Sequence, residues 1–204
     1  MIQTIPFIFD KTNPKEKKGV IQIGAHYGQE IPFLLEIGIN NIIAFEPLDH
    51  PFNELSKNFQ NKIKCIKKAV GNQNGTIEIH TESANYGQSS SVLKPKKHLE
   101  IYPNIKFENT ITCEIVRLDD EIKNANQYNI LLVDVQGYEL EVFKGAVNTL
   151  ANIDLIITEV NNDELYEDCA KIADLDKFLE NLSFKRILTS WEGDVWGNAA
   201  YIKI

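Results

Sequence analysis

The sequence predicts a doubly wound α/β fold, in which helices cover both faces of a parallel sheet. Three observations carry that prediction. From residue 19 onward, short apolar runs alternate with segments of helical period, the pattern of successive βαβ units. Two of the runs, ILLVDV at 130–135 and the stretch 153–160, are apolar almost throughout, as strands buried on both faces are. Glycines or carboxylates stand at the strand ends, at Gly24, Glu46, Asp134 and Glu159, where open α/β sheets bind their ligands.

Each element follows in order. The first strand spans 19–23 and runs into Gly24-Ala25-His26-Tyr27-Gly28. A helix over 29–37 puts Ile31, Leu34 and Leu35 on one face. Pro32 is tolerated in its first turn, and Gly38 ends it. A second strand, 41–45, stops at Glu46-Pro47, and a helix over 49–59 aligns Phe52, Leu55 and Phe59. The third strand covers 63–70 and ends at Gly71. Residues 75–81 and 109–118 alternate, as strands exposed on one face do, and pair with each other. Between them, 83–103 contains Gly87, Ser89, Ser90, Ser91 and Pro95 and has no period. A loop of that length in a compact domain is functional or mobile. Asp119 caps a short helical turn. Strand 130–135 then leads to a helix over 138–150, with Phe143, Ala146, Val147 and Leu150 in step. Strand 153–160 and helix 174–182 follow, and 184–190 with 199–204 form a closing antiparallel pair. Right-handed crossovers make such a sheet doubly wound. Residues 1–204 read as a single domain carrying an inserted hairpin and lid at 75–118.

Composition narrows the function. The chain has 204 residues, 43% hydrophobic and 25% charged, enough for a core without staples. Its net charge of −8 repels nucleic-acid phosphates, so no nucleic-acid partner is expected. Lys94, Lys96 and Lys97 form a local exception, with a solvated loop as the plain alternative. Cys65, Cys113 and Cys169 lie too far apart for a zinc or redox motif. Cys65 and Cys113 read as core thiols, and the sparse count fits a reducing compartment. The opening MIQTIPFIFDKTNPKEKKG has no basic leader region, and no window approaches the ~18 apolar residues of a membrane helix. A soluble, cytoplasmic protein is expected.

Three strand ends carry chemistry. Glycines at 24 and 28 let the backbone turn sharply and a ligand come close. Glu46 stands where an acid accepts hydrogen bonds from both hydroxyls of an adenosine ribose. Asp134 closes an apolar strand at the crevice, where ionisation is costly without a partner. Its plain alternative is a helix N-cap. A nicotinamide dinucleotide wants a second glycine where His26 stands, because its pyrophosphate must sit on the helix N-terminus. S-adenosylmethionine has no pyrophosphate and is favoured over that oxidoreductase reading. A non-catalytic module that keeps the nucleoside pocket is the remaining alternative.

The runs VIQIGAHYGQE, AFEP, AVGNQNG and VDVQGYELEVFKGA resemble those of the FkbM-type methyltransferases, over about residues 19–160. The resemblance implies a class I methyltransferase (Rossmann-like) fold with seven strands, the last antiparallel. It also implies methyl transfer to oxygen, frequently on a sugar or glycosylated product, so the partner is a small-molecule or glycan acceptor. It places Gly24, Ala25 and Gly28 beside the methionine moiety and Glu46 on the ribose, with His26 counted among the cofactor-binding residues. Pro47 falls beside the adenine, Ala69 and Val70 flank it, and Asp134 stands beside methyl and acceptor. Glu159 takes the family's acidic position after the next strand, and Ser89–Ser91 matches a serine-rich stretch near its site. Four positions depart from the pattern: Gln22, His26, Leu132 and Gln136, the last in place of a glutamate.

A sugar hydroxyl must lose its proton or meet a metal before it attacks. Candidate bases are Asp134, Glu159 and His26, with Glu139 weakest because it sits one turn into a helix and faces solvent. Gln136 removes a possible third carboxylate, so a divalent cation is not favoured and no metal ligands are assigned. His80 and His98 read as surface histidines. Residues 83–103 make the acceptor lid. Tyr86, Tyr102, Trp191 and Trp196 are aromatic surfaces for sugar stacking, with packing as the alternative.

Overall fold

The computed structural model describes residues 4–12, 14 and 16–204. Helix α1 (Thr4–Thr12) opens the chain, followed by β1 (Val20–Ile23), α2 (Ile31–Glu36), β2 (Ile42–Phe45), α3 (Asp49–Phe59), β3 (Lys64–Ile66) and β4 (Ala69–Val70). The middle holds β5 (Gly75–Glu82), α4 (His98–Ile101), β6 (Phe107–Val116), α5 (Leu118–Glu121) and a 3-10 turn over Ala125–Gln127. The chain closes with β7 (Ile130–Val133), α6 (Glu139–Lys144), α7 (Val147–Leu150), β8 (Leu155–Asn161), α8 (Ile172–Glu180), β9 (Phe184–Glu192) and β10 (Trp196–Lys203).

Seven strands form one sheet in the order β3-β2-β1-β7-β8-β10-β9, and β10 alone runs antiparallel to its neighbours. Every residue of β1, β2, β7 and β8 is buried. Because side chains alternate along a strand, neighbours feed opposite cores. Ile21, Ile23, Leu131, Val133 and Ile156 join one cluster, while Val20, Ile130, Leu132, Leu155 and Ile157 join the other. The strand order reverses between β1 and β7, and the crevice there is the ligand position of this topology.

Helix α1 lies in the opening stretch read for a leader, to which the sequence assigns no helix. It buries Ile5, Ile8 and Phe9 against the second cluster. Residues 1–3, 13 and 15 of that stretch lie outside the described residues. Among the described residues, no helix is long and apolar enough to cross a membrane.

Three expectations change at element boundaries. The strand expected over 63–70 splits. Lys67 and Lys68 interrupt it, pairing outward with Asp49 and with Glu114 and Glu121. Ala69 and Val70 then leave the main sheet and pair with Ile115 and Val116 in a second sheet, β4-β6-β5. The helix expected over 138–150 breaks at Gly145. A Cβ there would sit 1.9 Å from the Gly71 carbonyl oxygen, so the chain passes too close for a side chain. Asp119 does not cap its own turn. Its carboxylate accepts the Asn148 and Thr149 N–H groups at 3.0 and 2.8 Å and so caps α7, an interaction worth about 1 kcal/mol.

The β5–β6 hairpin pairs in the expected antiparallel sense, Ile77 opposite Cys113. The long segment it encloses is anchored rather than featureless. His80 bridges Ser91, Pro95 bridges Tyr166, and α4 forms within it. Lys96 and Lys97 are not free in solvent, since they pair with Glu164 and Asp163. Cys65 and Cys113 are half-buried, and Cys169 is the buried thiol.

Candidate active site

At the switch point the first turn is fixed by its neighbour strand. The Asp134 N–H donates to the Ile23 carbonyl oxygen at 3.0 Å. A Cβ on Gly24, whose φ is +76°, would stand 1.8 Å from the Asp134 carbonyl oxygen. Gly24 is therefore required by the approach of two backbones, before any ligand is considered. Gly28 differs from expectation. It does not line the cavity; a Cβ there would meet Leu55, Ile31 and Phe59 within 2.9 Å, so it serves the packing of α3.

A cavity of about 430 Å³ opens above these strand ends. Gly24, Ala25, His26, Glu46, Pro47, Ala69, Val70, Asp134 and Glu159 all line it. Glu46 is 4% exposed. One carboxylate oxygen accepts the His26 N–H at 2.9 Å and the other the Leu48 N–H at 2.8 Å. Burial outweighs those bonds and pushes its carboxyl up to about 7. His26 adopts φ +48°, and its Nε2 meets the Tyr86 carbonyl oxygen at 2.9 Å while the Gln29 amide meets Nδ1 at 2.9 Å. Both ring nitrogens are thus engaged.

On the other side Gln136 stands between two acids. Its Nε2 donates to Asp134 Oδ1 and to Glu159 Oε2, both at 2.8 Å. Its Oε1 accepts from the Tyr166 hydroxyl at 3.0 Å, which also reaches the Ser89 carbonyl oxygen at 2.8 Å. Gln136 holds φ +54°, a region unfavourable for a residue with a side chain. Burial first, then the charges of Asp134 and Glu139, push the Glu159 carboxyl well above the ordinary range. Glu139 does not face solvent. It is 1% exposed, and its Oε1 accepts the Val135 and Gly137 N–H groups at 3.1 Å. It turns back over the unsatisfied donors of its own helix start, and burial raises its carboxyl to about 7.

The strand-one departure has a local counterpart. Gln22 donates to Glu30 Oε2 at 2.8 Å, and Glu30 lines the cavity. Burial and the charge of Asp134 raise the Glu30 carboxyl, although the Gln22 hydrogen bond opposes this. Among the described residues, no three His, Cys, Asp or Glu side chains are grouped to hold a metal.

The 83–103 segment closes the cavity through Ser89, Ser90 and Ser91. The Ser91 hydroxyl donates to the Gln136 carbonyl oxygen at 2.7 Å. His98 is not at the surface: it is 3% exposed and lines the cavity. Tyr102 and Trp196 also line it, whereas Tyr86 and Trp191 do not.

With this geometry in place, comparison gives the family. Residues 22–186 match the model of the methyltransferase FkbM domain. The chain belongs to the FkbM methyltransferase family. Among curated relatives, the 2-O-methyltransferase NoeI of Sinorhizobium fredii is 29% identical over 72% of this chain and 65% of its own length. The chain thus spans slightly less than two thirds of that relative. The hexuronic acid methyltransferase AglP of Haloferax volcanii is 22% identical over 78% of this chain and 69% of its own length. In fold, the chain is similar to magnesium protoporphyrin IX methyltransferase from Synechocystis, solved with bound S-adenosylmethionine. That likeness has a TM-score of 0.58 at 11% identity, over 100% of this chain and 78% of that one. The sheet order and the antiparallel β10 are those of a class I methyltransferase fold.

Four residues of this site are unassigned from sequence: Gln136 and Glu30 lie inside the FkbM-like blocks, and His98 and Tyr166 lie outside them. Gln136 stood out as a departure, and its bridging of two acids became visible only in three dimensions. Glu30, His98 and Tyr166 carried no signal. Each lies outside a strand end: Glu30 and His98 line the cavity, and Tyr166 reaches it through Gln136.

Proposed function

We propose that this chain is an S-adenosylmethionine-dependent O-methyltransferase acting on a hydroxyl of a sugar, glycan or glycosylated metabolite. The observation that carries the reading is the charge of the cavity. Among the described residues, Glu30, Glu46, Asp134 and Glu159 line it, against one lysine, Lys68, that already pairs with Glu114 and Glu121. Burial holds Glu30, Glu46 and Glu159 toward their neutral forms in the free chain, and a bound sulfonium and ammonium would draw such a wall to its ionised form. It opposes the pyrophosphate of a dinucleotide, which weighs against the oxidoreductase alternative. The names of NoeI and AglP support the acceptor class.

The residues fit that cofactor. Glu46 is buried with both oxygens already oriented by backbone N–H groups, as a ribose diol requires. Pro47, Ala69 and Val70 would flank the base, and Gly24, Ala25 and Glu30 would border the methionine part. When bound, S-adenosylmethionine supplies a methyl group already activated as a sulfonium. The chain's own task is to orient the acceptor and take its proton. Gln136 fixes Asp134 through Oδ1, and Asp134 Oδ2 takes the hydroxyl proton. Glu159, whose neutral form burial favours, completes the polar wall beside it. We assign His26 to holding the Tyr86 turn rather than to proton transfer, since both its nitrogens have partners. The scheme needs no divalent cation, because the Gln136 amide already joins the two carboxylates.

The test is methyl transfer from labelled S-adenosylmethionine to a panel of glycosides, with and without a chelator. Label in a base-stable ether on the sugar is expected, unaffected by chelation. Binding of S-adenosylhomocysteine without transfer to any acceptor would favour the non-catalytic module. Activity lost on chelation and restored by Mg²⁺ would replace the base by a metal.

A further inference from the structure

Part of the cavity wall, termed the second arm, is built away from the strand ends. Its residues come from separate parts of the chain: His98 from α4, Tyr102 and Ile105 just after it, Leu165 beyond β8, and Trp196 at the start of β10. Trp196 Nε1 donates to the Tyr102 hydroxyl at 2.9 Å, so indole and phenol are held as one wall. Both are only partly buried. Behind them the His98 ring packs at 5.0 Å from Tyr102, 5.3 Å from Phe107 and 5.5 Å from Tyr166, centroid to centroid.

His98 is 3% exposed, and its Nδ1 has no hydrogen-bond partner among the described residues. Buried polar atoms in that condition are few in native proteins and call for an explanation. A ligand hydroxyl seated against the ring supplies one. The arm is also tied to the reacting end of the site. Tyr166, which packs on His98, hydrogen-bonds the same Gln136 that holds Asp134 and Glu159.

The charge of the arm restricts its occupant. Among the described residues, Lys68 is the one lysine or arginine lining the cavity, and two glutamates already engage it. Lys96 and Lys97, beside α4, are committed to Glu164 and Asp163. Burial pushes the His98 imidazole below its ordinary range, which favours the neutral ring. Asp134 and Glu159 line the same cavity, and Glu82, 6% exposed, adds a third acid near His98. A carboxylate or phosphate placed here meets acids and no available cation.

We propose that this second arm binds an uncharged glycosyl ring, with its apolar face on Trp196 and Tyr102 and a hydroxyl on His98, and that it rejects uronates and sugar phosphates. Aromatic walls with a few placed polar groups are suited to such a ligand. The proposal rests on the methyltransferase reading of the adjoining arm. It sets this chain apart from the relative named for hexuronic acid.

The test is saturation-transfer NMR on the full chain saturated with S-adenosylhomocysteine. The probes are methyl glycosides of the common neutral hexoses and deoxyhexoses, the methyl hexuronides of matching configuration, and the hexose 6-phosphates. At least one neutral glycoside is expected to bind, with the matching uronide and phosphate at least tenfold weaker. His98→Phe, which keeps an aromatic ring, should lose the glycoside signal while retaining S-adenosylhomocysteine. His98→Gln should recover part of it. Uronides or phosphates binding as well as neutral sugars, no neutral sugar binding, or an unaltered glycoside signal in His98→Phe would each overturn the proposal. Titration of the unaltered chain with S-adenosylhomocysteine alone reads the methyltransferase proposal separately. No binding there, with glycoside contacts intact, would overturn that reading and leave the subsite standing.

Discussion

The two arms of the cavity are built by different means. The arm proposed for the nucleoside sits on strand ends, where sheet register fixes Gly24, Glu46 and Ala69 through backbone hydrogen bonds. The second arm is assembled from α4, the segment after β8 and the start of β10. Side-chain contacts join it: Tyr166 to Ser89, Ser91 to Gln136, Trp196 to Tyr102, Lys97 to Asp163. The difference separates residues fixed by the sheet from residues fixed by side-chain contacts. A side chain in the second arm can be exchanged for another acceptor without moving the strand ends, whereas the backbone at Gly24 cannot change without disturbing the sheet.

Substitutions should expose that contrast, and the largest effect belongs to the strand ends. Gly24→Ala puts a methyl group into the Asp134 carbonyl and fixes an unfavourable φ. It should cost about 4 kcal/mol or more and yield little folded protein, as read by denaturant melts. Next comes the junction of the arms. Asp134→Asn should lower turnover by about 10²-fold, while S-adenosylhomocysteine affinity stays within a few-fold. Near-normal turnover would remove Asp134 from proton transfer. Glu46→Ala should weaken S-adenosylhomocysteine by roughly 1.5–3 kcal/mol in calorimetry. An unchanged affinity would sink the ribose assignment.

A smaller effect concerns pH and has opposite signs for fold and ligand. Glu46 and Glu139 lie near 7 in the fold against an ordinary value of 4.5. Between those values the folded chain keeps protons that the unfolded chain has released. Their stabilising contribution is therefore complete below 4.5 and lost as pH rises through about 7. Ribose hydroxyls donate to the ionised carboxylate, so S-adenosylhomocysteine affinity should instead fall about tenfold from pH 8 to pH 6. Calorimetry beside thermal melts of the free chain checks both signs. The smallest effect belongs to the lid turn. Gly87 has φ +88°, and its nearest contact for a Cβ is the Leu48 side chain at 3.3 Å. Gly87→Ala should cost only about 1 kcal/mol. Hydrogen exchange should find 83–88 fast and Ser91 and His98 protected, since only the latter part is buried. Uniform exchange across the segment would erase that distinction.

The same contrast decides what could be read from sequence. Period and composition revealed the sheet because β1, β2, β7 and β8 are short, apolar and buried on both faces. The strand-end positions followed from them, so Gly24, Glu46, Asp134 and Glu159 were legible. Helix α1 escaped notice because an apolar run of its length has no clear period. Gly145 hides its reason in Gly71, and Asp119 in Thr149, partners that no local window contains. His98 sits in a lysine-rich run that suggests solvent. It is buried because Phe107 and Tyr166, far along the chain, fold over it. Glu139 shows the converse: its helix position suggested exposure, yet two unsatisfied N–H groups drew it inward.

The crowding at Gly24 bears on how such a chain would age if its reaction were no longer needed. Selection for folding alone would keep that glycine, because the Asp134 backbone forbids anything larger. It would not keep the Asp134 side chain or Glu46. Relaxing selection on chemistry would even favour replacing Glu46, whose buried charge opposes folding at neutral pH. A decayed copy would therefore still display the glycine signature by which the fold is recognised while its carboxylates drifted. In related genomes, the persistence of Glu46 and Asp134 together is the better mark of a copy still at work.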